Sequence, residues 1–390
     1  MKASSQLTFL LATLVSSKKF IVQVKTAQKS VLQTSSNSKQ FSLLFNQHFI
    51  HDTISIGDFH AYVIEAEQTP LYLFDNESVL NVEEDHEISL DLGVINAYNN
   101  DPKLDGSLNK NYVVQGAPCW SLDRIDQRQP LLDQKYFYSA TAGSNTDIYI
   151  IDTGIDIAHP EFEGRAKWGG NFVDNINSDC QGHGTHVSGS AASKTFGVAK
   201  KANLIAVKVL GCDGSGSFSG VLKGMEFVFN ERKKSKRISI INLSLGGPKS
   251  TAIDKAIDNL DSAGVFIVVA GGNENTDSCL SSPAGNPKVT TVGATTEKNT
   301  KAMFSNWGKC VNILAPGTNI ISTFPGNKTQ NLQGTSMASP QISGFYALVL
   351  SDNPALTPDA MRRLSASMCS KDAITGFDIT TPNCFVYTLV

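Results

Sequence analysis

Five apolar runs, which end in or are soon followed by glycine or another small residue, are the feature that most constrains the fold of this chain. Runs of this kind are buried on both faces, as strands of a parallel sheet are. They are DIYIID at 147–152, ANLIAVKVL at 202–210, ISIINLSLG at 238–246, VFIVVAGG at 265–272 and KVTTVGA at 288–294. The sequence therefore predicts a parallel sheet through the C-terminal two thirds of the chain.

Helical patterns lie between several of these runs, for example GVLKGMEFVFNERK at 220–233 and TAIDKAIDNLDSAG at 251–264. Strands that alternate with helices predict a doubly wound α/β sheet. In that architecture ligands bind beyond the carboxyl ends of the strands. We therefore look for function in the residues that follow each apolar run.

The N-terminal part of the chain has a different pattern. Residues 1–17 combine Lys2 with a short apolar stretch and small serines, which predicts a secretory signal. Residues 18–92 hold alternating, β-rich segments such as KKFIVQV and predict a small α+β unit. From 97 to 115 the composition is polar and without periodicity, which predicts an exposed linker.

Bulk properties exclude some classes of partner. A net charge of −3 gives no global attraction to nucleic acid, and the basic run at 232–237 lacks interleaved aromatic residues. No apolar run approaches the roughly 20 residues that a membrane span needs. We therefore expect neither a nucleic-acid nor a membrane partner. Seven cysteines are typical of an oxidising compartment, and the odd count leaves one unpaired.

Three segments place reactive residue types at the ends of predicted elements: Asp152 in YIIDTGID, His183 in DCQGHGTHVSG and Ser336 in GTSMASPQISG. Taken singly, each has a plain structural explanation as a turn former or a helix cap. His183 and His186 could also form a metal pair, but HGTH lacks the spacing and glutamate of HExxH. Taken together, Ser336, His183 and Asp152 match a nucleophile, its base and a carboxylate that orients the base.

These segments, together with APCWSLDRID, VKVLGCDGSGSFSG and NLSLGG, resemble the subtilisin-like serine peptidases. The resemblance covers about residues 118–375 and points to the proteinase K family and its aqualysin-like branch. It implies that residues 18–92 are an inhibitor-type prodomain and that 93–116 form a linker containing the maturation cleavage. Residues 117–390 would be the peptidase domain, with Asp152, His183 and Ser336 as its triad.

The resemblance also implies roles for residues outside the triad. Asn273 would donate to the oxyanion of the transition state, although a turn asparagine is the plain alternative. Two chain edges would bind an extended substrate, and uncharged residues would line its S1 pocket. The edges are Gly214, Ser215, Gly216 and Ser244, Leu245, Gly246, and the rest of the pocket is Ala270, Gly271, Gly272. We expect apolar or aromatic P1 residues.

Disulfides and calcium are likewise implied by the resemblance. In the aqualysin-like branch the positions of Cys180 and Cys212 are joined, and so are those of Cys279 and Cys310; Cys369 and Cys384 are further candidates and Cys119 remains alone. Relatives bind structural calcium. Pro287 and Val289 match carbonyl donors of one site, but Asn312 stands where relatives have a carboxylate, which weakens a site for a hard cation.

The sequence therefore predicts a secreted serine endopeptidase that is made as a self-processing precursor. It would need no cofactor for catalysis, cut protein and peptide substrates, be inhibited by its own prodomain and act as a monomer. The alternative is a catalytically silent binding protein of the same fold that retains its prodomain.

Overall fold

The structure is a computed structural model that describes residues 17–25, 50–74, 77–90, 93–95, 104–109 and 112–389. The chain divides into two compact units, one of residues 1–53 and 61–85 and the other of residues 54–60 and 86–390. Apart from Ser17, the predicted signal peptide lies outside the described residues.

Six α-helices and twenty-three strands occur in the described residues. The helices are α1 (Trp120–Ile125), α2 (His183–Ala192), α3 (Phe218–Lys234), α4 (Thr251–Ser262), α5 (Thr335–Asp352) and α6 (Pro358–Met368). The strands are β1 (Lys18–Val24), β2 (Ile50–Ile56), β3 (Phe59–Ala66), β4 (Val79–Glu84), β5 (Glu87–Ser89), β6 (Gly93–Ile95), β7 (Leu104–Asn109), β8 (Tyr112–Gly116), β9 (Lys135–Ser139), β10 (Thr146–Asp152), β11 (Ala166–Asn171), β12 (Asn203–Lys208), β13 (Ser215–Ser217), β14 (Ile238–Leu243), β15 (Gly247–Pro248), β16 (Phe266–Ala270), β17 (Ser281–Ser282), β18 (Thr290–Thr295), β19 (Ile313–Pro316), β20 (Ile320–Phe324), β21 (Lys328–Gln333), β22 (Ser370–Lys371) and β23 (Cys384–Phe385).

A four-stranded sheet in the order β2-β3-β1-β4 is the main feature of the smaller unit. Strands β1 and β4 pair antiparallel, and alternate side chains such as Phe20, Val22 and Ile64 are buried in its apolar core. Phe20, Val22 and Val24 share one face of β1 and belong to this core, and the intervening Ile21 and Gln23 are buried as well. No α-helix occurs in the described part of this unit.

A nine-stranded sheet in the order β11-β12-β10-β14-β16-β18-β19-β23-β22 forms the centre of the larger unit. All its pairings are parallel except that of β22 with β23. The predicted doubly wound α/β sheet is confirmed.

Helices cover both faces of this sheet, and successive side chains of β10 show how. Ile148 and Ile150 pack in the same buried cluster as the apolar residues of α2 and α5. Ile151 points to the opposite face, where it approaches Gly224 of α3. Because β10, β14 and β16 are neighbours and parallel, the residues that follow them, including Ser244 and Gly271, meet at one edge.

The structure differs from the predicted linker at its C-terminal end. Strand β8 pairs with β9 along its whole length, and Gln115 is fully buried and donates through its side chain to the carbonyl of Thr195 at 3.0 Å. Residues 112–116 therefore belong to the packed body of the larger unit. Composition alone missed this because a short strand with a polar flank has no clear periodicity.

Candidate active site

Asp152 and His183 form a buried pair at the carboxyl end of β10. The Nδ1 atom of His183 lies 2.8 and 2.9 Å from the two carboxylate oxygens of Asp152, and both side chains are inaccessible to solvent. The backbone N–H of Thr153 also donates to Asp152 at 2.7 Å. These contacts fix the ring, so that its other nitrogen, Nε2, is the one left for acid–base chemistry.

His183 is the first residue of helix α2, and the turn before it needs glycine. Gly182 has a φ of +109°, and a Cβ there would lie 2.2 Å from the ring of Phe324. The backbone N–H of His183 donates to the side-chain oxygen of Gln181 at 2.7 Å. The Nε2 atom of His183 is buried and has no hydrogen-bond partner.

Ser336 is the second residue of helix α5 and is 8% exposed. Its hydroxyl donates to the carbonyl of Ser244 at 3.1 Å, and the hydroxyl of Ser244 donates to the carbonyl of Ser336 at 3.0 Å. The structure therefore holds the predicted nucleophile against the predicted substrate edge. No hydrogen bond joins it to His183.

Asn273 lies at the same cavity, and its amide is oriented by Thr335. The side-chain oxygen of Asn273 accepts from the backbone N–H of Thr335 at 2.8 Å and from its hydroxyl at 2.9 Å. The Thr335 hydroxyl in turn accepts from the N–H of Gly272 at 3.1 Å. Since the oxygen is engaged, the amide nitrogen of Asn273 is the group left to donate.

A cavity of about 330 Å³ opens beside Ser336 and Asn273. All six residues predicted to complete the S1 pocket, 244–246 and 270–272, line it. Glu274 and Asp277, which the sequence analysis did not name, also line the cavity. The carboxylate of Glu274 accepts from the amide of Asn306 at 2.7 Å, and that of Asp277 from the N–H of Cys279 at 2.9 Å.

The predicted edge at Gly214–Gly216 already binds an extended segment of the chain. Strand β13 pairs antiparallel with β5, and beyond β5 the N–H of Leu90 donates to the carbonyl of Gly214 at 3.2 Å. Ile88 is 2% exposed in this pairing, and Leu90 lines the cavity beside Ser336. This edge therefore accepts a strand by main-chain hydrogen bonds, which place no demand on side-chain identity.

Three disulfides occur in the described residues. They join Cys180 to Cys212, Cys279 to Cys310 and Cys369 to Cys384, with Cα–Cα distances of 5.0, 5.3 and 5.3 Å. Cys119 is free and half-buried, with its sulfur 3.3 Å from the hydroxyl of Ser121. The first bridge ties the segment before His183 to the loop before β13.

The residues named for calcium do not fit the ion in this structure. Asn312 offers a neutral amide oxygen where relatives have a carboxylate, and that oxygen already accepts from the N–H of Thr291 at 2.8 Å. In the part of the chain that the structure describes, no group of three or more His, Cys, Asp or Glu residues is arranged to hold a metal.

Sequence reasoning missed several residues that orient the site. They are Thr153, Asp179, Gln181, Thr335, Glu274 and Asn306. Most lie within four residues of a predicted catalytic residue. Their role depends on side chains that meet across loops, which a linear pattern does not report. A search for polar residues flanking each catalytic motif would have found all of them except Asn306 as candidates, without assigning their partners.

Comparisons with known proteins identify the family to which this chain is similar. Residues 143–376 match the model of the Subtilase family. Subtilisin-like protease 7 of Arthroderma gypseum is 50% identical over 244 residues, covering 62% of this chain and 61% of that protein. Subtilisin-like protease 6 of Trichophyton soudanense is 50% identical over 241 residues, covering 60% of this chain and 58% of that protein. The aligned part thus spans about three fifths of the length of these relatives.

A solved structure gives the same picture for the fold. The crystal structure of a cold adapted subtilisin-like serine proteinase is 41% identical, with a TM-score of 0.68, and covers 70% of this chain and 100% of that one. The region that matches holds β10, α2 and α5 and hence all three predicted triad residues. By the family match over 60% of its length, the chain belongs to the subtilase family.

Proposed function

We propose that this protein is a serine endopeptidase that cuts extended segments of proteins through an acyl-enzyme. The observation that carries the proposal is the buried His183–Asp152 pair, whose Nε2 atom has no partner, beside a cleft that holds Ser336 and Asn273. Subtilases need no cofactor for catalysis, and every group that the reaction requires is a residue of this chain.

The chemistry follows from these groups. The hydroxyl of Ser336 turns from the carbonyl of Ser244 to Nε2 of His183, which takes its proton as the oxygen attacks the substrate carbonyl. Asp152 stabilises the imidazolium that forms. The negative oxygen of the tetrahedral intermediate accepts from the amide nitrogen of Asn273 and the N–H of Ser336. Collapse breaks the peptide bond, and His183 gives its proton to the leaving amine; water then cleaves the ester by the same steps.

Substrate binding in this proposal uses the edge that β5 occupies. A peptide would replace residues 87–90 along β13, with its P1 side chain in the cavity lined by Gly271 and Gly272. The cavity walls are mostly apolar or backbone, so we propose apolar or aromatic P1 residues. Glu274 and Asp277 give the cavity a subsidiary capacity for a basic side chain that is long enough to reach them.

We further propose that the protein is a precursor that cuts itself and that its N-terminal region inhibits it until then. Residues 87–90 follow β13 on one side of the nucleophile. On the other side β6 pairs with β21, where Gly93 lies opposite Gln333, three residues before Ser336. Self-cleavage therefore falls between Leu90 and Gly93, immediately before the predicted linker 93–116 in which the sequence analysis placed it. Residues 91 and 92 lie outside the described part of the chain.

Secretion completes the proposal. Three disulfides support an oxidising compartment, and the predicted signal at 1–17 would direct the chain there. A prodomain over 18–92, a linker over 93–116, a peptidase domain over 117–390 and a monomeric state remain part of the proposed organisation.

The test uses the full chain and its Ser336→Ala variant, expressed in parallel in a protease-deficient host. Wild type should release a segment ending between residues 90 and 92, hydrolyse labelled casein and react with a serine-directed phosphonate. The variant should accumulate uncut and fail in both assays, with a loss of about 10⁶ in kcat, as known for the nucleophile of subtilisin. A wild type that stays uncut and inert would favour the binding-protein alternative. A variant that matures normally would exclude self-cleavage.

A further inference from the structure

Asp179 carries more hydrogen bonds than any other carboxylate near the catalytic pair. It lies four residues before His183 and is 5% exposed. One of its oxygens accepts from the hydroxyl of Thr153 at 2.9 Å, the N–H of Gln181 at 3.2 Å and the N–H of Gly182 at 2.7 Å. Its other oxygen accepts from the N–H of Thr185 at 2.8 Å and the hydroxyl of Thr185 at 2.6 Å.

These donors come from the two elements that position the catalytic pair. Thr153 follows Asp152 directly at the end of β10. Gly182 and Thr185 flank His183 at the start of helix α2. The hydroxyl of Thr153 also accepts from the N–H of Gly184 at 2.9 Å, so it lies between Asp179 and the same helix. One buried carboxylate thus joins the strand of the acid to the helix of the base.

Capping of helix α2 alone does not account for this arrangement. A cap needs only to accept hydrogen bonds from the free N–H groups at the start of the helix. Asp179 already does so for the N–H groups of Gly182 and Thr185. The bond to Thr153 crosses to another element, the end of β10, which a cap of α2 does not require. Asp179 does not line the cavity, and Nδ1 of His183 is bonded to Asp152, so Asp179 touches neither the substrate site nor the base.

We propose that Asp179 is a positioning residue, which acts through Thr153 and the first turn of α2 to fix the distance and ring plane between Asp152 and His183. This inference rests on the proposed peptidase activity. A displacement of about 1 Å at a catalytic group can cost on the order of 100-fold in rate. Loss of the carboxylate should therefore lower the chemical step while leaving substrate binding unchanged.

The test begins with Asp179→Asn, which keeps the size of the side chain but points an NH₂ group at the N–H of Thr185 or of Gly182. We expect kcat, and the first-order rate of self-cleavage, to fall about 10- to 100-fold with KM unchanged. The low-field proton resonance of the hydrogen bond between His183 and Asp152 should shift or broaden. A role limited to stability would not move that resonance below the melting temperature.

Thr153 supplies a matched pair of variants. Thr153→Val removes the hydroxyl with little change in shape and should lower kcat about tenfold, whereas Thr153→Ser should keep it near wild type. If Asp179 acts through this hydroxyl, the double variant Asp179→Asn/Thr153→Val should lose much less than the sum of the two single losses. Should Asp179→Asn fail to fold, the Val and Ser variants decide the question by themselves.

Asp123→Asn controls for simple destabilisation. Asp123 is as buried as Asp179, at 3% exposed, and accepts from three donors remote from the cavity. It should lower the melting temperature but keep kcat. The proposal is overturned if Asp179→Asn keeps wild-type kcat, if its loss equals that of Asp123→Asn, or if its loss adds fully to that of Thr153→Val. An inert wild type would instead contradict the peptidase activity itself.

Discussion

The two halves of the proposed catalytic centre are held in different ways. In the half with the acid and base, Asp152 and His183 are inaccessible, already hydrogen-bonded to each other and fixed by neighbouring loops. In the half with the nucleophile, Ser336 keeps 8% of its surface exposed, and its hydroxyl is bonded to the carbonyl of Ser244 rather than to the base. The difference indicates that the base is set before substrate arrives, while the nucleophile needs one side-chain rotation. Substitutions in the first half should therefore disturb an arrangement that exists before substrate binds. Substitutions in the second half should affect only the transition state.

Asp152→Asn should have the largest effect among changes that leave the nucleophile in place. An amide would present an N–H to Nδ1 of His183 and favour the wrong tautomer, leaving Nε2 without a lone pair for the proton. We expect kcat to fall about 10⁴-fold, the size known for the equivalent change in chymotrypsin-type enzymes. Steady-state kinetics of the mature enzyme would measure it. A loss below tenfold would show that the hydrogen bond between Asp152 and His183 is not what fixes the base before substrate binds.

Asn273→Ala should have the next largest effect. Its amide nitrogen donates only when the oxyanion forms, so kcat should fall and KM should stay constant. The expected loss is about 10²–10³-fold, as known for an oxyanion donor of subtilisin. A parallel rise in KM with no change in kcat would contradict a role restricted to the transition state.

Thr335→Val should have a smaller effect on the same step. The change removes the hydroxyl that donates to Asn273 at 2.9 Å but keeps the backbone donor at 2.8 Å. The amide should then be oriented less strictly, and we expect a fall of about tenfold in kcat, one hydrogen bond's worth of free energy. Thr335→Ser is the matched control and should stay close to wild type. Equal losses in the Val and Ser variants would exclude the hydroxyl as the cause.

Glu274→Gln should change preference rather than rate. Removal of the charge from the cavity lining should lower kcat/KM for a substrate with lysine at P1 by several-fold, in line with the loss of one partly exposed ion pair. The value for a phenylalanine substrate should stay constant, which serves as the internal control. Equal changes for both substrates would show that Glu274 acts only through Asn306.

The pH dependence of protein stability tests the environment of His186, which lies on the same helix as the base His183. It is fully buried on α2, and burial, followed by the nearby His183, lowers its pKa to about 3. Between pH 6.5 and 3 the unfolded chain therefore binds a proton that the folded chain does not, so stability falls as pH decreases, by up to about 1.4 kcal/mol per pH unit. His186→Gln should flatten this slope without changing the pH dependence of kcat.

Thermal melts between pH 6.5 and 4 would measure the effect in a Ser336→Ala background, which prevents self-digestion. In that background the parent and the His186→Gln variant form the matched pair. The two curves should converge as pH falls. Parallel curves would show that His186 already titrates at its ordinary pKa in the folded protein.

Much of the fold and part of the site could be predicted from the sequence. A continuous apolar run is removed from water only when both faces of its strand are covered. DIYIID and VFIVVAGG therefore predicted central parallel strands, and the structure has β10 and β16 at these positions. The pairing of Asp152 with His183 was implied by the family resemblance and is present in the structure. The catalytic residue types follow such runs or begin helices, as the pattern indicated. These inferences succeed because they depend on local pattern and on a general property of parallel sheets.

What the sequence could not decide depends on contacts between residues that are far apart in the chain. Glu274 lines the cavity because the loop after β16 lies beside the start of α5. Asp179 accepts hydrogen bonds from residues at the end of β10 and at the start of α2. Strand β8 forms because β9 pairs with it, although it lies in a segment whose composition predicted a linker. The residue types, their order and the parallel sheet were determined by the sequence itself. Which polar groups share a hydrogen bond was decided only by the tertiary structure, because such bonds require distances and angles that no linear spacing specifies.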